Sequence, residues 1–370
     1  MFISKKIYLY PNKEQDELLR EFARTFKFVY NKSLDYLKEI KETENRLITL
    51  SELNQRIKAL KETDEYSWLS KAPVASQQMA MMDLLTAFNR YGKKHISGFP
   101  QYKGSNSKLT FYQRTDGILV KDNTHIRLTN IKQPIKCSYI EDMTVKMCNP
   151  RVSFNGKNWY LAYSYEIEEK EQNLDGETIG IDLGVKTLAT LSNGITYDNI
   201  NKDEDLDKLY KKKKQLESEL EHKRSINSIE TNNSKKLQQQ IEKIDRKIRN
   251  KKDTYMHTVT TEIVKMKPKQ IVIEDLDVNS MLSNPYLKSS ILKVEFGKFK
   301  RLLKYKCEKE GIDLVIANRW YPSSKRCSCC GNVKKTLSLS ERTYRCEVCG
   351  LEIDRDLNAA INLAKYTELT

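Results

Sequence analysis

The chain has 370 residues, of which 39% are hydrophobic and 31% charged, and its mean hydropathy is −0.67. At about 150 residues per domain, this length predicts two or three domains and excludes a mini-protein. The sequence contains no run of about 18 uncharged apolar residues that could span a bilayer. Lys5, Lys6, Lys13 and Glu14 interrupt the N-terminal segment before the apolar stretch of a secretory signal can form. We therefore expect an intracellular protein with no membrane partner.

The charge is strongly positive, with 65 Lys and Arg against 50 Asp and Glu, a net charge of +15 and a pI near 9.2. This surplus favours nucleic acid as a partner over an anionic membrane, because the most basic segment lacks the Trp/Phe/Leu face of a membrane-bound helix. Four of the eight cysteines form two C-x-x-C pairs, whereas Cys137, Cys148, Cys307 and Cys329 are scattered. In a reducing compartment this pattern indicates metal binding rather than disulfides.

The N-terminal region predicts a strand followed by helices. Residues 2–10 are β-rich and end at Pro11, and Asn12 with Gln15 matches a capping box. Helical spacing then continues to about Tyr91, and the Gly-Phe-Pro run at 98–100 ends it. We expect a helical unit of about four helices here.

From Leu109 the pattern changes to short β-strands between polar turns. The clearest feature is a hairpin in which residues 152–154 and 159–165 flank an Asn155-Gly156 turn. It predicts a small β domain into which the first strand also pairs. We interpret its alternating aromatic residues mainly as sheet core, with a tyrosine face that stacks on RNA bases as the alternative.

A third region begins near Thr178, and a Lys/Arg-rich segment at 205–253 interrupts it. Apolar residues spaced by three, four and seven lie on both sides of a Ser/Asn-rich break at 225–234, which predicts an antiparallel helical hairpin with a thin apolar seam. Two interpretations remain open. The hairpin is either a solvated charged face or, because cations outnumber acids, a surface that contacts a nucleic-acid backbone.

The two C-x-x-C pairs near the C-terminus predict a structural zinc site. Each pair can place two thiolates on one ion, and the glycine that follows permits the tight turn. Four thiolates complete a tetrahedral shell, so no position remains open for a catalytic water. We assign the zinc ligands as Cys327, Cys330, Cys346 and Cys349, and exclude Cys329 because it breaks the spacing.

Two apolar strands carry acids. Asp182 lies in the strand at 179–184, which two further short strands follow, and an antiparallel meander with an Asp on its first strand is how RNase H-like nuclease folds begin. Sugar-kinase and actin-like folds also begin this way, but the phosphate-binding glycine pattern they need is not found. Glu274 ends the strand at 270–274, and Asp275 should point to the opposite face. We therefore rank Glu274 as the functional acid.

A third acid follows the zinc ligands. Asp354 fits the N-cap of an amphipathic helix, which places Asp356 in the first turn, where the helix dipole keeps the carboxylate ionised. Three such acids can hold two Mg²⁺ ions roughly 4 Å apart for phosphodiester hydrolysis. Each acid considered alone could equally be a cap or a surface charge, and the joint placement on strand, strand and helix favours the metal site.

Together these motifs resemble the TnpB family, the RNA-guided nucleases that insertion sequences encode and from which type V CRISPR effectors are thought to descend. The resemblance rests on residues 180–184 (GIDLG), 273–275 (IED), 323–327 (SSKRC) with the paired knuckle, and 354–360 (DRDLNAA). Pro11, Gln15, Trp68-Leu69 and Phe99-Pro100 fit the family's N-terminal layout more loosely.

The resemblance implies a bilobed α+β multidomain fold, with a wedge β-barrel that contains an inserted helical recognition domain, and an RNase H-like (RuvC) α/β nuclease domain that contains an inserted zinc ribbon. The implied boundaries are 1–11 for the first wedge strand, 12–108 for the recognition domain, 109–172 for the wedge barrel, 173–318 for the nuclease with its basic hairpin at 205–253, 319–352 for the zinc ribbon and 353–370 for the last nuclease helix.

The resemblance also implies a Mg²⁺-dependent endodeoxyribonuclease that takes a guide RNA and cleaves double-stranded DNA beside a short adjacent motif. Asp182, Glu274 and Asp356 match the family's metal-binding triad, which would hold two Mg²⁺ ions beside the one structural Zn²⁺. Arg355 and Asn358 match motif positions near the scissile phosphate, as supporting residues. The expected form is a monomeric protein in a ribonucleoprotein, in the prokaryotic cytoplasm and associated with the nucleoid.

Three alternatives remain open at this stage. One is a CRISPR-associated type V-like nuclease with an array-derived guide, which the protein sequence does not distinguish from a transposon enzyme. Another is a catalytically idle RNA-guided repressor, against which the three retained acids argue. The third is a strand-transfer transposase, which uses the same metal chemistry but fits the position of the zinc ribbon less well.

Overall fold

The computed structural model describes residues 2–94, 98–105, 107–168, 174–226, 231–277, 281–283, 285–338 and 340–366. The chain divides into two compact units, Met1–Ile167 and Glu168–Thr370. The boundary predicted between residues 172 and 173 lies outside the described residues. Within the described ranges, no helix combines the length and the apolar character that crossing a membrane requires.

The first unit contains a seven-stranded antiparallel sheet in the order β2-β6-β7-β1-β5-β4-β3. The strands are β1 (Phe2–Tyr10), β2 (Thr110–Tyr112), β3 (Leu119–Asp122), β4 (His125–Arg127), β5 (Ile135–Cys137), β6 (Cys148–Phe154) and β7 (Trp159–Glu166). β1 pairs with β7 and β5, which confirms that the first strand joins the later β region. Among the described strands β2 and β3 remain at the ends of the ladder, so the sheet is a curled half-barrel rather than a closed barrel.

Helices inserted between β1 and β2 share one core with this sheet. They are α1 (Lys13–Glu44), α2 (Leu50–Lys61), a 3₁₀ segment (Asp64–Lys71) and α3 (Val74–Lys94). The predicted capping box is confirmed, since the Gln15 N–H donates to Asn12 Oδ1 at 2.8 Å and the Asn12 N–H donates to Gln15 Oε1 at 3.0 Å. Phe22 of α1 meets Phe111 of β2 edge-on, with ring centroids 5.6 Å apart. The helical insertion is therefore anchored on the sheet by buried aromatic contacts.

The second unit contains a five-stranded sheet in the order β10-β9-β8-β11-β12. The strands are β8 (Gly176–Leu183), β9 (Thr187–Leu191), β10 (Thr196–Asp198), β11 (Pro268–Glu274) and β12 (Asp313–Ala317). The first three form the predicted antiparallel meander, and β11 pairs in parallel with both β8 and β12. Because side chains alternate along a strand, each face of this sheet receives every second residue of β8 and β11.

The predicted basic hairpin is present as α4 (Glu204–Ile226) and α5 (Asn232–Lys265). Leu220 packs with Leu237 and Ile241 in the apolar seam between the two helices. Part of the predicted break, residues 227–230, lies outside the described residues. α5 continues past Asp253 to Lys265, because its apolar spacing continues and its C-terminal half packs in the sheet core.

The remaining elements complete the second unit. They are α6 (Pro285–Val294), α7 (Phe296–Glu310), the two-stranded ribbon β13 (Thr343–Arg345) and β14 (Glu352–Asp354), and the C-terminal helix α8 (Arg355–Ala364). α5, α6 and α7 pack on the sheet face that includes Ile181 and Ile273. α8 packs on the other face, where Leu363 contacts Val272. The sheet therefore has helices on both sides, and α8 covers the side toward which Asp182 and Glu274 point.

Candidate active site and metal centre

Asp182 and Glu274 are neighbours across two parallel strands. The register pairs Ile181 of β8 with Ile273 of β11, so the next residue of each strand is the acid. Both isoleucines belong to the α5 and α7 core, which puts the two acids on the α8 face. The Leu183 N–H donates to Glu274 Oε1 at 3.1 Å and fixes that carboxylate beside β8.

Helix α8 carries Asp356 toward this pair. Asp354 caps the helix as predicted, because its Oδ1 accepts the N–H groups of Asp356 and Leu357, both at 2.9 Å. The helix lies directly on β8 at Gly180, where a Cβ would be only 2.0 Å from the Ala360 carbonyl oxygen. Glycine at this position is therefore what lets the helix approach the strand so closely.

Burial and neighbouring charges shift the pKa of two of the three carboxylates, Asp182 and Glu274. Burial raises the pKa of Asp182 well above its usual range, and the negative charges of Glu274 and Asp356 raise it further. Burial also raises the pKa of Glu274 to about 7. Arg355 opposes both shifts, and the Arg342 Nη1 lies 3.9 Å from Asp356 Oδ2. Like charges held in a partly buried site are stabilised by a cation, which is the electrostatic setting of a metal site.

Asp275 points away from this cluster. It accepts from Arg319 Nη2 at 2.9 Å and from Lys300 Nζ at 3.5 Å. The hydrogen bond from Arg319 holds its pKa below the usual value, the opposite of the shift at Glu274. The two adjacent acids thus have different environments, as the alternation of strand faces predicts.

The two predicted supporting residues differ in accessibility. Arg355 is half-buried, and its Nη1 donates to the Ser338 carbonyl at 3.1 Å, while its Nε is buried without a hydrogen-bond partner among the described residues. Asn358 is 0% exposed, and both ends of its amide are bonded to backbone groups of the first zinc knuckle. The Asn358 amide is therefore occupied by the backbone of the knuckle and is not open to solvent.

The four predicted zinc ligands come together. All four sulfurs of Cys327, Cys330, Cys346 and Cys349 lie within 4.8 Å of one another, and two pairs are 3.6 and 3.5 Å apart. Sulfurs bound tetrahedrally to zinc at 2.3 Å are about 3.8 Å apart, so the cluster fits that ion. Backbone N–H groups of Cys349 and Val348 lower the pKa of Cys346 to about 6, which favours the thiolate that zinc binds.

The turns around the cluster explain the spacing of its ligands. Gly331 and Gly350 follow the two knuckles with φ of 78° and 72°, a conformation that glycine adopts without strain. Cys329 is exposed and outside the cluster, as the sequence predicts. Over the described ranges this is the one group of three or more possible metal-ligand atoms that lie within 4.8 Å of one another.

A groove of about 990 Å³ beside the first knuckle was not predicted from the sequence. Trp320 lines it and is 86% exposed, and Tyr321 and Tyr366 pack edge to face at 4.9 Å in its wall. Arg326 and Lys365 also line it, and none of the described lining residues is acidic. An exposed indole beside two cations is suited to an unstacked nucleobase and its phosphate. The sequence signal was a tryptophan flanked by arginine and tyrosine just before the zinc ligands.

Three family models match the chain. The model described as "Probable transposase" (OrfB of IS605) matches residues 162–284, the "Cas12f1-like, TNB domain" matches 296–363, and a "Helix-turn-helix domain" of the same IS605 protein matches 1–46. In this structure residues 1–46 include a strand and one long helix rather than a helix-turn-helix.

Similar proteins extend over nearly the whole chain. A "Putative RNA-guided DNA endonuclease" of Streptomyces pristinaespiralis is 28% identical over 97% of this chain and 88% of its own length. The "Putative RNA-guided DNA endonuclease InsQ" of Escherichia coli K12 is 29% identical over 97% and 90%. TnpB-like protein L79 of Acanthamoeba polyphaga mimivirus is 27% identical over 98% and 72%.

A solved structure has the same fold. The Cas12f1 chain in a cryo-EM structure of the Cas12f1–sgRNA–target DNA complex superposes with a TM-score of 0.61 at 17% identity, over 95% of this chain and 83% of that one. The matched family models fall in both units, and the similar proteins span them both. Family models and similar proteins thus agree that this chain is similar, over nearly its whole length, to TnpB-like proteins of IS605-type transposons.

Proposed function

We propose that this protein is a transposon-associated, RNA-guided DNA endonuclease that cleaves double-stranded DNA beside a short adjacent motif by metal-dependent phosphodiester hydrolysis. The observation that carries the proposal is the position of Asp182 and Glu274, side by side on the sheet face that the helix bearing Asp356 covers. The printed names of the similar proteins support an RNA guide and a DNA substrate.

The residues that would hold Mg²⁺ are Asp182, Glu274 and Asp356. Carboxylate oxygens are the ligands that Mg²⁺ prefers, and the raised pKa values of Asp182 and Glu274 support a site that a cation would stabilise. When bound, two such ions would activate a water and stabilise the leaving oxygen of a phosphodiester. Leu183 and Asp354 orient the acids, and Arg342 supplies a nearby positive charge.

Sequence choice would come from pairing between guide RNA and target strand, while the protein binds backbones and reads the adjacent motif. The net charge of +15 supports this role, because tracking two nucleic-acid backbones requires many cations. The nuclease domain would be RuvC-like, in which a strand meander carries the first acid. We expect a monomeric protein in the ribonucleoprotein, acting at the nucleoid of a prokaryotic cell.

The test is cleavage of a matched plasmid by the protein co-purified with its guide RNA, in Mg²⁺ or in EDTA. Asp182→Asn, Glu274→Gln and Asp356→Asn should each slow cutting by about 100-fold or more, since metal stabilisation contributes several kcal/mol. EDTA should stop the wild type.

Asp275→Asn is the matched control, because it neutralises the neighbouring acid that Arg319 already pairs. It should cut within a few-fold of the wild type. Cutting by Asp182→Asn at the wild-type rate, or equal losses in Asp275→Asn and Glu274→Gln, would show that the assignment of the acids is wrong. A wild type that binds matched DNA without cutting it would instead support the repressor.

A further inference from the structure

Two side chains of α8 and that of Lys365, which follows the helix, hold the backbone of the first zinc knuckle. The Asn358 amide accepts the Ser328 N–H at 3.0 Å and donates to the Arg326 carbonyl at 2.8 Å. Asn362 Nδ2 donates to the carbonyls of Arg326 at 2.6 Å and Ser323 at 2.8 Å. Lys365 Nζ donates to the Ser328 carbonyl at 2.6 Å. We call Asn358, Asn362 and Lys365 the knuckle clamp.

The two asparagines of the knuckle clamp are shielded from solvent. Asn358 and Asn362 are 0% and 2% exposed, and Ser328 is also buried. Buried polar groups cannot exchange a lost partner for water, so each of these bonds restricts where the helix can lie relative to the knuckle.

The backbone that the knuckle clamp holds takes its shape from the metal ligands. Arg326 precedes Cys327, and Ser328 lies between Cys327 and Cys330, so the path of this backbone depends on the two sulfurs that the ion would hold. The second knuckle reaches α8 by another route. Strand β14 follows Cys349 and ends at Asp354, the cap of α8. The ribbon therefore contacts α8 along its side and also leads into its N-terminus.

We propose that the zinc ribbon sets the position of Asp356 relative to Asp182 and Glu274. Asn358 and Asn362 are the positioning residues, because their hydrogen bonds fix α8 to the ribbon. The helix is held between two surfaces, the ribbon on one side and the β8 backbone at Gly180 on the other. If the ribbon loses its shape, α8 loses its contact with the ribbon, and Asp356 in its first turn moves with the helix. The proposal rests on the proposed function for its meaning in catalysis, but it concerns metal binding by the protein alone.

The first experiment measures Mn²⁺ binding by electron paramagnetic resonance on the full chain without nucleic acid, with zinc content determined on the same samples. Asn358→Leu should keep one zinc per chain, while its affinity for Mn²⁺ at the carboxylates falls about tenfold or more. The matched control is Thr260→Val, which removes a buried hydroxyl that accepts from Lys306 at 2.7 Å on the opposite sheet face. It should bind Mn²⁺ as the wild type does. Equal Mn²⁺ affinity in zinc-loaded Asn358→Leu and wild type overturns the proposal, as does an equal loss in Thr260→Val.

A second measurement decides the matter if Asn358→Leu does not fold. Hydrogen exchange of the wild-type chain is compared before and after a chelator removes zinc. Amides of α8 should lose protection by about tenfold or more, whereas those of α7, on the other face of the sheet, should stay within about twofold. Unchanged protection of α8 after zinc loss overturns the proposal. Neither readout requires DNA cleavage, so a failure of the proposed nuclease function would be seen separately in the plasmid assay.

Discussion

Gly180 shows how one residue can decide the geometry of the carboxylate cluster. A Cβ here would meet the Ala360 carbonyl oxygen at 2.0 Å and the Ala364 nitrogen at 2.3 Å, both of them backbone atoms of α8 that no side-chain rotation can move away. Asp182 lies two residues further along the same strand face, and Asp356 lies one helical turn before Ala360. Any shift of the helix away from Gly180 therefore changes the distance between the two acids.

We expect Gly180→Ala to destabilise the chain by about 2–3 kcal/mol or more, the cost of overpacking at a rigid backbone contact. It should also weaken Mn²⁺ binding, because the helix must move to make room. Denaturant unfolding and Mn²⁺ titration measure the two effects.

Gly297→Ala is the control for that substitution, since no atom lies within 4 Å of the added methyl group and the residue is helical in α7. Its effect should lie between neutral and about 1 kcal/mol stabilising, as alanine is the better helix former. Equal stability of Gly180→Ala and Gly297→Ala would mean that the helix contact at β8 is looser than the structure has it.

Local rules also explain which acid is directed at the cluster. Alternation along β11 was enough to separate Glu274 from Asp275, and the N-cap preference was enough to place Asp354. Asn358 is the opposite case. The family resemblance implies a supporting role near the phosphate, but its partners Arg326 and Ser328 are some 30 residues away, and only the folded structure brings them together. Sequence patterns reveal periodicity within an element and not which distant backbone it meets.

At the level of elements, the sequence predicted the strand meander, the basic hairpin and the two knuckles, because each has its own spacing. It did not predict where α5 ends. Charged residues dominate that helix up to Asp253, while Met256, Val259 and Ile263 continue the same spacing into the sheet core. One helix thus belongs both to the exposed hairpin and to the core of the second sheet. The change from charged to apolar composition near Asp253 predicts the end of the hairpin there, although the helix itself continues.

The groove between the end of β12 and the first knuckle is expected to bind single-stranded nucleic acid through Trp320. Trp320 has almost no protein contact to stabilise its exposed ring, at 86% exposure. Trp320→Ala should lower the affinity for a single-stranded oligodeoxynucleotide about tenfold, because stacking contributes about 1–3 kcal/mol per base. Trp320→Phe should retain most of it. Fluorescence anisotropy of a labelled oligonucleotide measures both.

Intrinsic fluorescence supplies an independent check of the same prediction. Trp159 is buried and Trp68 packs edge-on against Phe28 with centroids 5.3 Å apart, so Trp320 is the most exposed of the three indoles. Oligonucleotide binding should quench the wild-type emission and leave that of Trp320→Phe nearly unchanged. Equal quenching in both would assign the contact to another tryptophan and contradict a stacking role for this groove.

For the whole molecule, the positive charge is unevenly distributed. The first unit has 27 Lys and Arg against 18 Asp and Glu, and the second has 38 against 32. Residues 205–253 alone have 15 against 9, so the hairpin accounts for the entire surplus of the second unit. The remainder of that unit is balanced, with 23 Lys and Arg against 23 Asp and Glu. The surplus positive charge of this unit therefore lies on the hairpin, at positions in the sequence separate from the three acids.

This distribution predicts which lysines contribute to the salt dependence of binding. Lys212 and Lys214 are exposed on α4 and form no ion pair with a described acidic residue, whereas Lys211 pairs with Asp207 at 2.7 Å and Lys213 with Asp245 at 2.7 Å. A cation that neutralises a phosphate releases a counterion and adds about 0.7–0.9 to the slope of log K against log salt. Replacing Lys212 and Lys214 together by Gln should therefore reduce the magnitude of the slope for guide RNA or target DNA by about 1 to 2.

The matched control removes the same charge from the same helix through Lys211→Gln with Lys213→Gln. Because carboxylates already neutralise those two ammonium groups locally, the slope should change by less than half as much. Titrations from about 0.05 to 0.2 M salt give enough range to separate the two pairs. Equal changes would mean that only net charge matters, and no change in either would mean that the hairpin is a solvated face. A larger change for Lys212 and Lys214 would identify α4 as a backbone-binding surface, and so decide between the two interpretations that the sequence left open.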